Sequence, residues 1–263
     1  MSKGFIQVLS LILSVIIISI VLLLRNDMHI NDINVDIIAT SNIASISLTS
    51  IFISRLIVFL IILWSCITIY VDKKGLDIKL PTRGIIHDVN LKHEGRFTAF
   101  TVWCWTLQGI YFFLSIISSI NKILVAYNHH PIPIFDNQLL LFITWVIFEI
   151  SFSMSFLVTI VVTFVLIPGG IKRGINNDGM FKFFPLLFHN ANVFFMVTEI
   201  LTNNMKFSIN HFPFVLLYGC AYSMFSWWFF HSRKCFLYFF LDYDGNSYFL
   251  ILLLPTLLSL LSN

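Results

Sequence analysis

The sequence predicts an all-α protein: a polytopic bundle of six to seven transmembrane helices with its N-terminus in the cytosol. Three observations carry that reading. Of 263 residues, 58% are hydrophobic and only 11% are charged, against roughly 45–50% and about 25% in an ordinary soluble domain. Mean hydropathy is +0.89. The apolar residues fall in runs of bilayer length, and the basic residues fall on one side of those runs. A soluble fold of this size still has to present its surface to water, so a soluble enzyme, a secreted disulfide scaffold and a disordered chain are excluded. The 16% aromatic content, with 29 Phe, suits lipid-facing helices.

A span needs about 20 mostly apolar residues. The runs at 5–24, 51–71, 97–119, 139–167, 184–203, 211–230 and 247–261 qualify, and together they make one transmembrane domain over 1–263. The first run is longer than the h-region of a signal peptide and no A-x-A site follows closely, so it reads as a retained span. The last run is the shortest. The charges orient the set. Twelve Lys and Arg lie in segments placed inside, chiefly 72–96 with Lys73, Lys74, Lys79, Arg83, Lys92 and Arg96, and only Arg25, Lys122 and Lys206 lie outside. Arg55 sits within the second span near its outer end, where its head is expected to snorkel outward.

Between the spans, loop 25–50 reads as solvated, with Asp27, Asp32 and Asp36 among Asn and Ser. His129 and His130 in loop 121–138 lack carboxylate or Cys support and read as solvated rather than metal-bound. Pro168-Gly169-Gly170 reads as the turn that ends the fourth span. Cys66, Cys104, Cys220 and Cys235 have no CxxC spacing and read as packing thiols. No basic run is long enough to track phosphates, so nucleic acid is not an expected partner. P-loop, GxGxxG, HExxH and GxSxG patterns are absent from the sequence.

Polar side chains inside spans are costly and turn toward the bundle interior. On the fifth span His189, Asn192, Met196, Glu199 and Asn203 follow 3-4-3-4 spacing, which puts them on one helical face. On the third, Thr101, Trp105, Gln108, Phe112 and Ser115 do the same. His211, Tyr218, Tyr222 and Ser226 share a side of the sixth, and the fourth carries Glu149 with Ser153. Such groups commonly make interhelical hydrogen bonds worth about 0.6–2 kcal/mol each. His189 and Glu199 also titrate. Thr101 and His189 each lie four or five residues into spans that start on the same side, roughly 6–8 Å deep. A Thr hydroxyl is a weak nucleophile that an adjacent His activates.

The stretch FTAFTVWCWTLQGIYFF from Phe97, the stretch HNANVFFMVTEIL from His189 with Glu199 ten positions on, and His231 followed by FLYFFLD ending at Asp242 occur in an order that resembles the androgen-induced and rolling stone group of multi-pass membrane proteins. The resemblance covers about 96–244. It implies a membrane-embedded hydrolase of fatty-acid esters of hydroxy fatty acids or similar lipids, with Thr101 as nucleophile and His189 as base. Asp242 stands where the hydrolases carry Glu, Phe239 where they often carry Pro, and Trp103 and Trp105 bring the chain closer to the rolling stone branch. In this reading Gln108, Asn192, Glu199, His231 and Asp242 support the site, and Asn192, Trp103 or Trp105 donates to the oxyanion. Glu199, about 15 Å along the helix from His189, is expected to be structural. No cofactor or metal is implied. The expected partners are the bilayer and a lipid or fatty-acyl ester substrate, in the endoplasmic reticulum or the plasma membrane. The alternative is a non-enzymatic adhesion or fusion factor, or a small transporter, although internal repeats and broken spans are not evident.

Overall fold

A computed structural model of the chain describes residues 2–28, 30 and 33–244. The candidate span 247–261 lies outside these residues. Those described are mainly helical: α1 Lys3–Arg25, a short α2 Val35–Ala39, α3 Leu48–Val71, then a hairpin of β1 Leu76–Thr82 and β2 Ile85–Leu91, followed by α4 Phe100–Ala126, α5 Gln138–Lys172, α6 Phe183–Thr202 and α7 Phe212–Arg233. Five of them, α1, α3, α4, α5 and α6, are long and apolar enough to cross a bilayer. The chain is therefore an integral, multi-pass helical membrane protein. The sixth expected span is a 22-residue helix, α7, that falls outside those five.

The helix starts follow from capping. Ser2 accepts from Phe5 N at α1, Ser47 from Ser50 N at α3, and Asn137 from Leu139 N and Leu140 N at α5. Each side chain satisfies amides that have no partner in the first turn.

The residues group into two compact units. In the unit formed by 1–28, 73–99 and 207–263, α1 packs along α7 and the antiparallel hairpin lies on the chain that follows α7. The hairpin occupies a segment that the sequence reading treated only as a basic loop. Thr82 pairs with Ile85 across a two-residue turn, and both turn residues have positive φ, Arg83 at 51° and Gly84 at 83°. That is the geometry whose twist matches the flanking strands. One face carries Ile78, Leu80, Val89 and Leu91 onto Phe229, Cys235 and Leu237. Arg83 pairs with Asp242 at 3.0 Å and Asp244 at 2.8 Å, and lies 5.1 Å from the Phe230 ring and 5.4 Å from the Tyr243 ring. The Asp242 hydrogen bond pushes the guanidinium further toward its charged form.

In the unit formed by 29–72 and 100–206, α4 is central and packs against α2, α3 and α5, while α5 also packs against α6. Two expectations are corrected here. Loop 25–50 is not simply solvated: Asn34 caps α2, and Ile33, Ile38 and Ala39 are buried. Pro168-Gly169-Gly170 does not end the fourth span. The helix runs on to Lys172 because a π-helical stretch, Val162–Leu166, precedes the proline. A wider turn relieves the clash between a proline ring and the carbonyl one turn earlier. Gly109 lets α3 and α4 approach closely, since a Cβ there would lie 2.8 Å from Ile62 Cγ2. Gly109→Leu is expected to cost about 1–3 kcal/mol by overpacking. Thermal unfolding in detergent should show a lowered midpoint that Ile62→Ala partly restores.

Candidate functional site

Three contacts set the register of α4 against α6. The Trp105 and Phe188 rings lie 5.4 Å apart, Gln108 Nε2 donates to the Asn192 carbonyl at 2.8 Å, and Tyr111 Oη donates to Glu199 Oε1 at 2.7 Å. Residue numbers rise together on both helices, so the two run parallel. Trp105 is level with Phe188, which places Thr101 one turn earlier, roughly 6 Å before that level. His189 is then about 7–8 Å further along than Thr101 rather than at the same depth, and the common lean of helical side chains toward the N-terminus leaves that offset unchanged. Thr101 is buried and His189 half-buried. No hydrogen bond joins the two among the described residues.

His189 sits on a second π-helical stretch, Leu187–Ala191, which follows Pro185. A π-turn shifts the backbone hydrogen bonds by one residue. The His189 carbonyl is met from α5 by the Thr159 hydroxyl, which also lies 3.4 Å from Asn192 Oδ1. The Asn192 oxygen further accepts from Val193 N at 2.6 Å. Three polar atoms in this neighbourhood are buried without a hydrogen-bond partner: His189 Nδ1, Gln108 Oε1 and Asn192 Nδ2. Gln108 and Asn192 are 1% and 2% exposed, so water at the protein surface does not reach them. Thr159 was not singled out from the sequence, because a Thr in the middle of a long apolar helix usually bonds back to its own backbone. Here the Ser155 carbonyl lies 3.1 Å from the hydroxyl, further away than the His189 carbonyl that takes its one proton.

Of the three oxyanion-donor candidates, Trp105 is fully buried and its indole N–H donates to Ser65 Oγ at 2.8 Å. Trp103 is half-buried. Asn192 retains an amide nitrogen without a partner.

Further along α6 lies a second polar centre, and it overturns the expectation for Arg55. The side chain does not snorkel. It is 0% exposed, and its Nε donates to Glu199 Oε1 at 2.9 Å, with Nη2 on the same oxygen. The remaining guanidinium donors reach Ser119 Oγ at 2.9 Å and the Ile38 carbonyl at 2.7 Å. Tyr111 and, at 3.4 Å, Asn203 complete the shell around Glu199 Oε1. Outward snorkelling gives way because the carboxylate is within reach in the same layer, so the charge is compensated without leaving the bundle. On the face that faces inward, Asn192, Met196, Glu199 and Asn203 are buried, while Phe194 is 65% exposed.

His231 and Asp242 belong to the other compact unit. His231 is exposed at the end of α7, and Asp242 is buried on Arg83. No group of three or more His, Cys, Asp and Glu able to hold a metal occurs among the described residues. Comparison with family models, with curated proteins and with solved structures gives no match.

The ion pair makes a stability prediction. Arg55→Met leaves a buried Glu199 carboxylate uncompensated, at an expected cost of about 3–5 kcal/mol. The double variant Arg55→Met with Glu199→Met removes both charges and should recover most of that loss. Unfolding of the three proteins in one detergent measures it. A double variant no more stable than Arg55→Met would show that the pair acts other than by mutual charge compensation.

Proposed function

We propose that this chain is an intramembrane lipid-ester hydrolase. The observation that carries the reading is His189: a histidine on a π-turn, with a buried ring nitrogen that has no partner, three residues before Asn192, whose amide nitrogen is likewise unmet. In the proposed reaction His189 takes the proton of Thr101, and the Thr101 oxygen attacks the ester carbonyl. Asn192 Nδ2 donates to the developing oxyanion. The alcohol leaves with a proton from His189, and the acyl group remains on Thr101 until water releases it. The reaction uses no cofactor and no metal. Its substrates are fatty-acid esters of hydroxy fatty acids or similar lipids that enter from the bilayer. Gln108 holds α6 in register through the Asn192 carbonyl, and Glu199 holds the far end of the helix.

The same reading includes seven spans with the N-terminus in the cytosol, in the endoplasmic reticulum or the plasma membrane. The one-sided Lys and Arg support that orientation, and the parallel course of α4 and α6 fits their entry from one common side. A Cys introduced at Lys79 should be labelled by an impermeant reagent only from the cytosolic side. Labelling from the opposite side alone would reverse the topology.

The chemical test is hydrolysis of long-chain acyl esters by the purified full chain in lipid nanodiscs. Thr101→Val and His189→Ala should each abolish turnover, and the double variant should lose little more than either, since the two act as a unit. Thr101→Ser keeps a hydroxyl and should retain part of the rate. Turnover by Thr101→Val at the wild-type rate would refute Thr101 as nucleophile.

A further inference from the structure

The atoms left without partners around His189 are of mixed kind, and that decides what satisfies them. Gln108 Oε1 is an acceptor. Asn192 Nδ2 is a donor with two protons. His189 Nδ1 is an acceptor when the ring carries its proton on Nε2. Rotating either amide does not resolve the mismatch. Gln108 Nε2 is committed to the Asn192 carbonyl, and Asn192 Oδ1 accepts from the Val193 backbone N–H. Exchanging N and O in either group would break these bonds and place like against like. A metal cation is a poor occupant, because Asn192 presents N–H protons where a cation needs oxygen lone pairs. An anion is equally poor, because Gln108 presents a lone pair. Acyl chains offer neither donor nor acceptor.

Water donates two hydrogen bonds and accepts up to two, so one molecule can donate to both acceptors and accept from the donor. We infer that Gln108, Asn192 and His189 hold ordered water, a single molecule or a hydrogen-bonded pair, at the α4–α6 interface. The two carboxamides are more than nine-tenths buried, and the π-turn together with Thr159 fixes the segment that carries His189 and Asn192.

Taken with the hydrolase reading, on which this step rests, this is the water that completes turnover. His189 Nδ1 removes a proton from it as the water oxygen bonds to the acyl carbon on Thr101. The C–O bond to Thr101 Oγ then breaks, the His189 proton passes to that oxygen, and the carboxylic acid departs. One N–H of Asn192 holds the water while the other faces the oxyanion. Gln108 acts as a positioning residue through the water it orients.

The test has two arms on the full chain in bilayers. In the first, solid-state NMR with 15N in His, Asn and Trp side chains follows magnetisation from water. Transfer to Asn192 Nδ2 and to the His189 ring should build up several-fold faster than transfer to the Trp105 indole, which is held by Ser65. Gln108→Met should slow the first two toward the third. Build-up as slow at Asn192 and His189 as at Trp105 in the wild-type protein would overturn the inference, whether the occupant is then a lipid hydroxyl or a dry contact. In the second arm, a chromogenic acyl ester separates acylation from deacylation. Gln108→Met also removes the bond to the Asn192 carbonyl, so both phases should fall, the steady rate at least tenfold more than the initial burst; an equal loss in both phases would leave Gln108 as a register contact alone and overturn its role on the water. Wild-type protein without turnover would sink the hydrolase reading and leave the water assignment to the first arm. Turnover without water at Asn192 and His189 would sink the water site alone.

Discussion

Arg55 is the side chain on which one of the two compact units depends. A guanidinium in a hydrocarbon layer must be met on every donor, and here α3 carries Arg55 to partners from three other elements: the Ile38 carbonyl on α2, Ser119 and the Ser115 carbonyl on α4, and Glu199 on α6. Shifting any one of them by a turn would strand a charge or a carbonyl. The pair contributes little net stability compared with an apolar packing of the same volume, because desolvating both ions offsets most of their attraction. It selects one register. The alignment of Tyr111 with Glu199 is continuous with that of Gln108 with Asn192 and of Trp105 with Phe188. The charged centre thereby sets the spacing around His189, although the two lie about 15 Å apart along α6.

The sequence makes the helical faces legible and leaves their pairing open. Spacings of three and four residues mark Trp105, Gln108 and Phe112 on one helix and Asn192, Met196 and Glu199 on another, and all six are buried. The composition of a face says that it turns inward, without saying which face it meets. Arg55 shows the limit. A lone arginine seven residues into an apolar helix carries the same local signal whether it snorkels or pairs, and its partner is 144 residues away. The short α2 escapes periodicity because five residues do not complete two turns, although Asn34 is an ordinary capping residue. The hairpin was readable in principle, from Arg83-Gly84 between Thr82 and Ile85 and from the alternation of Leu76, Ile78 and Leu80. Its six basic residues within 72–96 drew the reading toward topology instead.

The π-turns account for the remaining differences. The first precedes Pro168 in α5, whose ring would otherwise meet a carbonyl of the preceding turn, while the second lies downstream of Pro185, which sits in the first turn of α6 where proline is tolerated. A helix of regular pitch through 183–203 would give His189 the same spacing to Asn192 that the sequence suggests, but with its carbonyl tied into the α-helical ladder. The wider turn presents that carbonyl to Thr159, and α5 then joins a site that the sequence assigns to two helices alone. Helical spacing in the sequence carries no sign of this second π-turn or of the neighbour that answers it.

The two polar centres on α6 differ in one respect that separates support from chemistry. Around Glu199 the guanidinium, a phenol and a carboxamide converge on a single carboxylate oxygen, and the guanidinium itself is met by a hydroxyl and two carbonyls. An oxygen so fully met resists any reaction, because a new bond must displace an existing one in a medium that offers no replacement. Around His189 the donors and acceptors do not match, and the excess sits on atoms suited to moving a proton and holding an oxyanion. Polar groups that the protein itself leaves unpaired stay in place, and keep the water that meets them, only where something else in the fold holds them. The Arg55 centre provides that hold by fixing α4 and α6 in register. The assignment of structural work to Glu199 and of chemical work to His189 therefore rests on a difference in hydrogen-bond saturation, which residue type alone does not reveal.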